Sequence, residues 1–203
     1  MKDGAMQPYA LTLDKFLDHA AKWHPDTEVV TAQADGTDAR IGYAALRQRA
    51  LRVSGALAGL GVEPRQRVAT LAWNSQAHVE AWYAIMGMGA ACHTLNPRLT
   101  ADQTAGMLRQ SGAQVLIVSA DLLPLAREIA AAGAPLRHVL TIDGDAAGNI
   151  DGAALQPLEA LLAGADPTVA WGGFDENTAS GLCFTSGTTG RPKGVTYTHR
   201  SSF

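Results

Sequence analysis

Gln114-Val115-Leu116-Ile117-Val118-Ser119 is the stretch that decides the fold. It reads as a strand whose four middle side chains are all apolar. A strand with one wet face alternates apolar and polar residues. An unbroken apolar run instead needs cover on both faces, as in a parallel sheet flanked by helices. The chain on either side has the matching rhythm. Upstream, residues 67–72 form a short apolar strand, 75–88 a helix capped by Asn74 or Ser75, and 90–95 another strand. Thr100-Ala101-Asp102-Gln103 has capping-box spacing and opens a helix to about Gln110. Downstream come a helix over 122–132 and a strand over 138–142. Strands alternating with helices of ten to fifteen residues predict an α/β fold, mostly parallel sheet with helices on both faces.

Ahead of this core, Leu13, Phe16, Leu17, Ala20 and Ala21 fall on one helical face, and Pro25 closes that helix. Residues 28–33 and 38–42 predict an early β-hairpin around Asp35-Gly36. A second helix starts at Tyr43, carries Leu46, Ala50, Val53 and Leu57 on one face, and ends at Gly61. Residues 1–142 are read as one α/β subdomain. Residues 143–178, rich in Gly, Ala, Asp and Pro with one short helix near 157–162, are read as a connecting region. Residues 179–203 are read as the start of an ATP-binding subdomain.

Of the 203 residues 47% are hydrophobic and 17% charged, enough to bury a sizeable core. Net charge is −3, and the 16 basic residues are scattered, which argues against nucleic acid or an anionic membrane as partner. No secretory signal is read at the start, and the uncharged run 81–97 is too short and too interrupted to span a membrane. Cys92 and Cys183 sit in apolar contexts and are read as buried free thiols of a reducing compartment. The expected location is cytoplasmic.

Chemistry concentrates in Thr185-Ser186-Gly187-Thr188-Thr189-Gly190-Arg191-Pro192-Lys193-Gly194, which follows the short strand Leu182-Cys183-Phe184. Glycines let backbone N–H groups close on a ligand with no Cβ in the way. Successive N–H groups form an anion nest, the hydroxyls add rotatable donors, and Lys193 adds a mobile charge. Charge-assisted bonds of ~1.5–3 kcal/mol each, several together, suffice to hold a polyphosphate. The loop is not a Walker A motif, because Pro192 precedes the lysine and Gly194 follows it. The next residues, Val195-Thr196-Tyr197-Thr198, predict a strand rather than a helix.

This loop, with Thr198-His199 after it, is similar to the signature loop of the adenylate-forming superfamily. That group includes acyl-CoA synthetases, aryl-CoA ligases, luciferases and peptide-synthetase adenylation domains. Ile41-Gly42-Tyr43-Ala44-Ala45-Leu46 and Gly61-Val62-Glu63-Pro64 resemble earlier segments of the family. Gly87-Met88-Gly89-Ala90 leading to Leu95-Asn96-Pro97-Arg98-Leu99 resembles medium- and long-chain fatty acyl-CoA synthetases. The resemblance implies a two-step reaction using ATP, Mg2+ and CoA. A carboxylic acid is adenylated with release of pyrophosphate, and a thiol then displaces AMP. It also implies that Thr185, Ser186, Gly187, Thr188 and Thr189 touch the phosphates, that Lys193 is their charge partner, and that Gly190 and Gly194 are hinges. The family's later motifs (magnesium acid, ribose aspartate, adenylating lysine) are not in these residues. The chain is therefore expected to be an N-terminal portion with no complete catalytic set, unable alone to exchange pyrophosphate into ATP. An aryl-CoA ligase, another adenylation enzyme and a non-catalytic nucleotide-binding module stay open as alternatives, as does the oligomeric state, a homodimer included.

Other candidates read blandly. Asp143-x-Asp145 lacks the further ligands of a calcium loop. The six histidines show no metal spacing. Trp73, Trp82 and Tyr83 fit core and helix-face positions, Asn74 a helix cap, and His199 a capping or packing role ahead of a substrate-site one.

Overall fold

The computed structural model describes residue 4 and residues 9–33, 35–166, 168–185 and 192–203. Helix α1 (Asp14–Trp23) leads into a two-stranded antiparallel hairpin, β1 (Glu28–Ala32) and β2 (Asp38–Gly42), and then α2 (Tyr43–Gly59). The alternating core follows as β3 (Arg67–Leu71), α3 (Gln76–Gly87), β4 (Ala91–Thr94), α4 (Ala101–Ser111) and β5 (Val115–Ser119). A 3-10 turn opens α5 (Leu123–Ala131), and β6 (His138–Ile142) comes next. Then come β7 (Gly148–Ile150), β8 (Ala153–Pro157), α6 (Leu158–Leu162), β9 (Ala179–Thr185), β10 (Lys193–Thr198) and α7 (His199–Ser202).

The strands β3 to β10 form one sheet in the order β10-β9-β4-β3-β5-β6-β8-β7. Its six inner strands are parallel, and the two edge strands, β10 and β7, run antiparallel to their neighbours. The run 115–118 lies at its centre, buried at every position. Val115 and Ile117 face α2, α3 and α6, while Leu116 and Val118 face α4 and α5. Each such side chain, moved out of water, contributes roughly 1.5–3 kcal/mol. Both faces are thus dry, which is why this strand shows no alternation.

Local signals set most boundaries. Thr100 and Gln103 form a full capping box at the start of α4, and Gly112 closes that helix at φ 67°. At α3 the cap is Ser75, whose side chain accepts from the His78 N–H, and not Asn74. Trp73 is no core residue either. It is 47% exposed, and its indole N–H donates to Asp121 at 2.7 Å.

The stretch 143–178 holds more order than its composition predicts. Strands β7 and β8 form a hairpin whose turn is Asp151-Gly152, with φ of 49° and 89°. Two positive φ values in an Asp-Gly pair are the mark of a type I′ turn. After α6, the chain crosses the backbones of two helices. A Cβ on Gly55 of α2 would stand 2.0 Å from the Asp166 carbonyl oxygen, and one on Gly87 of α3 would stand 2.5 Å from the Trp171 ring. The Trp171 indole N–H donates to Ser54 Oγ at 2.8 Å. These two helical glycines are there for close approach, not for flexibility.

Candidate phosphate-binding site

Strands β9 and β10 form an antiparallel hairpin, and Lys193 pairs directly with Thr185 at the end nearest the connecting segment. Directly opposed residues of an antiparallel pair point to the same face. The two side chains therefore flank the segment 186–191, and both are exposed. Of the sequence-predicted site residues, Thr185 and Lys193 are brought together. Ser186, Gly187, Thr188, Thr189 and Gly190 lie outside the described residues.

Strand β9 runs parallel to β4, with Cys92 on Gly181 and His93 on Leu182. In that register Thr185 stands beyond the carboxyl end of β4, which closes at Thr94. The carboxyl edge is where open α/β sheets take their ligands. Cys183, Thr185, Lys193, Val195 and Tyr197 share the face toward α3, and Thr94 Oγ1 lies 3.8 Å from Cys183 Sγ. Cys183 is exposed, contrary to its reading as a buried thiol. All five residues of this face are exposed. Cys92 is buried as expected, and burial pushes its thiol up to about 12.

The opposite face carries support. Phe184 lies on the His93 ring, centroids 5.1 Å apart, and packs with the core on the α4 side. Gly194 pairs with Phe184, and a Cβ there would meet the Phe184 ring at 3.2 Å and Leu182 at 3.1 Å. Its φ is not positive. Gly194 therefore makes room for Phe184 and needs no left-handed backbone. His93 is fully buried, and burial brings its pKa down to about 4. The Ser111 hydroxyl donates to the Leu108 carbonyl, so His93 Nδ1–H donates to Ser111 Oγ at 3.1 Å. The support behind the β9–β10 pairing is thus a neutral aromatic pair. Sequence reading missed both of its members; the one available signal was Phe184, an aromatic directly before the hydroxyl-rich run.

His199, which follows β10, is 0% exposed. It cannot reach a ligand, in keeping with its reading as a packing residue. Among the described residues no group of three or more His, Cys, Asp or Glu could hold a metal ion. The described side chains give Mg2+ no carboxylate cage, and they offer a hydroxyl and an ammonium suited to an anion. No helix among them is long and apolar enough to cross a membrane.

The sequence matches the AMP-binding enzyme family over residues 17–203. It is 40% identical over 202 residues to a 3-methylmercaptopropionyl-CoA ligase of Ruegeria lacuscaerulensis, covering 98% of this chain and 37% of that protein. It is 36% identical over 200 residues to a medium-chain-fatty-acid–CoA ligase of Ectopseudomonas oleovorans, with the same coverage. Among solved structures, a Mycobacterium tuberculosis fatty acyl CoA synthetase superposes with TM-score 0.74 at 26% identity, covering 93% of this chain and 35% of that one. An acetoacetyl-CoA synthetase of Streptomyces lividans, at 23% identity, shares the fold with TM-score 0.82 over 94% of this chain and 30% of that one. The chain spans about 37% of the length of the curated relatives it matches.

Proposed function

The chain belongs to the AMP-binding enzyme family, and on that footing we propose that it is the part of an acyl-CoA synthetase that grips the departing pyrophosphate of ATP. In the proposed reaction a carboxylate oxygen of the acid attacks the α-phosphorus of ATP. The bond to the β-phosphate breaks, and pyrophosphate leaves with the electron pair. The sulfur of CoA then attacks the acyl carbon, and AMP departs. Thr185, Ser186, Gly187, Thr188, Thr189 and Gly190 are proposed to surround the β- and γ-phosphates, with Lys193 as their counter-charge.

The observation that carries this reading is the direct pairing of Thr185 with Lys193 at the carboxyl edge of a parallel sheet, on either side of that hydroxyl- and glycine-rich segment. Charge separated onto a leaving pyrophosphate is what positioned donors and a cation stabilise, and catalysis of such transfers is mostly positioning and electrostatics. Magnesium is proposed to come with the nucleotide, where it would neutralise phosphate charge; no step here runs through it.

The acid is proposed to be a medium- or long-chain fatty acid, on the strength of relatives named as medium-chain- and long-chain-fatty-acid–CoA ligases. CoA is the proposed acceptor, and the cytoplasm the proposed location, where Cys92 and Cys183 would stay free thiols. Residues 179–203 are proposed to open the ATP-binding subdomain.

The test is ATP titration of the chain by calorimetry, wild type beside Lys193→Ala and Thr188→Ala. Each variant should bind about tenfold or more weakly, since each loses a bond to a charged group. Unchanged affinity in both would remove the site assignment.

A further inference from the structure

Strand β10 carries Lys193, yet it is an edge strand. Among the described residues its only ladder is with β9, and residues 193–197 are all exposed. That ladder is irregular between Tyr197 and Thr198. One ladder with both faces open leaves the far end of the strand to be fixed by something else. That end is His199, where three parts of the chain meet. Its Nδ1 accepts the Leu13 N–H at 3.2 Å, at the entry to α1. Its own N–H donates to the Thr178 carbonyl at 3.0 Å, and its ring lies against Phe174, centroids 4.9 Å apart. The next residue repeats the link. The Arg200 N–H donates to the Glu176 carbonyl at 2.8 Å, its guanidinium pairs with the Glu176 carboxylate, and that carboxylate also accepts the Leu11 N–H at 2.7 Å.

A nitrogen that accepts a backbone N–H carries no proton. His199 is therefore the neutral Nε2–H tautomer. Nε2 is buried with no partner among the described residues, and so is Oδ1 of Asp14, itself 3% exposed. The charged groups that act on the ring are Asp14 and Lys15 on α1, and the ion pair of Arg200 with Glu176 adjoins it in sequence. Burial, the largest influence, lowers the His199 pKa, with Asp14 opposing and Lys15 assisting. A proton on Nδ1 would set two donors against each other and break the bond to Leu13.

We propose that His199 is a positioning residue for the phosphate grip. By accepting the Leu13 N–H it ties the far end of β10 to α1, and so keeps Lys193 in register with Thr185. The inference rests on the reading of the 185–194 segment as that grip.

The experiment is calorimetric titration of the 203-residue chain with inorganic pyrophosphate, for wild type, Lys193→Ala, His199→Phe and His199→Asn. Phenylalanine keeps a ring and removes the acceptor, while asparagine places an amide oxygen where Nδ1 stood. His199→Phe should bind about tenfold more weakly, the factor for one lost buried hydrogen bond, and His199→Asn should recover to within about twofold. The ratio of wild-type to His199→Asn affinity should fall as pH drops below the ordinary histidine range, because only wild type can protonate there; protonation of pyrophosphate is common to both. If wild type binds and Lys193→Ala does not, but His199→Phe binds like wild type, the positioning role is wrong. If His199→Phe does not fold, a pH-independent ratio for His199→Asn overturns it instead. If wild type fails to bind, or Lys193→Ala binds equally well, the grip reading itself falls.

Discussion

Replacing Arg49 by alanine tests the packing of the three helices on one face of the sheet. Arg49 of α2 donates from Nε to Glu80 of α3 at 2.8 Å and pairs with Glu159 of α6. Glu80 also accepts from the Gln76 side chain at 2.7 Å. The two acids are unequal, since the Glu80 side chain is 1% exposed and that of Glu159 is 64% exposed. Loss of the Glu159 pair matters by at most ~1 kcal/mol. Loss of the Glu80 pair strands a buried carboxylate, which costs about 3–5 kcal/mol when a partner is removed. Arg49 is itself 31% exposed, and water entering the gap favours the lower end, about 3 kcal/mol. At roughly 2–4 °C per kcal/mol for a chain of this size, Tm should fall by about 6–12 °C.

The pH dependence has a definite sign. Burial raises the Glu80 pKa, and the bonds from Arg49 and Gln76 only partly offset it. Without Arg49 the folded-state pKa lies higher still above the unfolded value. Between those two values the folded state holds a proton that the unfolded state lacks. The stability gap to wild type should therefore shrink as pH falls from about 8 to about 5. Calorimetric melting at both pH values measures it, with Arg49→Met/Glu80→Leu as a variant that removes both charges and regains most of the loss. A deficit below about 1 kcal/mol, or one that does not change with pH, would refute the reasoning.

Other outcomes are expected. Gly87→Ala should lose about 1–3 kcal/mol, because its Cβ would sit 2.5 Å from Trp171 and displace the indole from Ser54. Gly59→Ala, with nothing within 4 Å, is the control, and equal melting points for the two would sink the account. Cys183 should react with a thiol reagent in the native protein while Cys92 reacts only on unfolding, and pyrophosphate should slow the Cys183 reaction, since that thiol shares the face of Lys193 and Thr185. Matched rates for the two thiols, or no effect of pyrophosphate, would contradict the geometry described.

The elements read correctly from sequence are those whose signals are local. Val115, Leu116, Ile117 and Val118 announce a doubly covered strand, and Thr100 with Gln103 announces a helix start, because pattern and capping act over a few residues. Strands β7 and β8 were hidden by Ala153-Ala154 and by a glycine-rich approach, both poor strand formers. Pairing of β8 with β6 overrides that preference. The Asp151-Gly152 pair was the signal that could have revealed them. Cys183 was misjudged, and what Gly194 packs on was missed, for one reason. Whether an apolar side chain is covered, and what a glycine lies against, depend on which strand is an edge. Strand order depends on contacts distant in sequence.

The same division runs through the site. Hydroxyls, glycines and a lysine within ten residues are a local statement about chemistry, legible before any fold is known. Their support is not local. Behind Thr185 lies Phe184 on His93, ninety-one residues apart in number, and beyond the far end of β10 lies His199 on Leu13, at opposite ends of the chain. Among the described residues β10 pairs with β9 alone, so its outer side has freedom that an inner strand lacks. That same freedom would let the lysine drift from its threonine unless distant parts of the chain fixed both strands. A phosphate grip at the edge of a sheet thus needs anchors whose sequence carries no phosphate chemistry at all, a neutral buried histidine under one strand and another at the end of its partner.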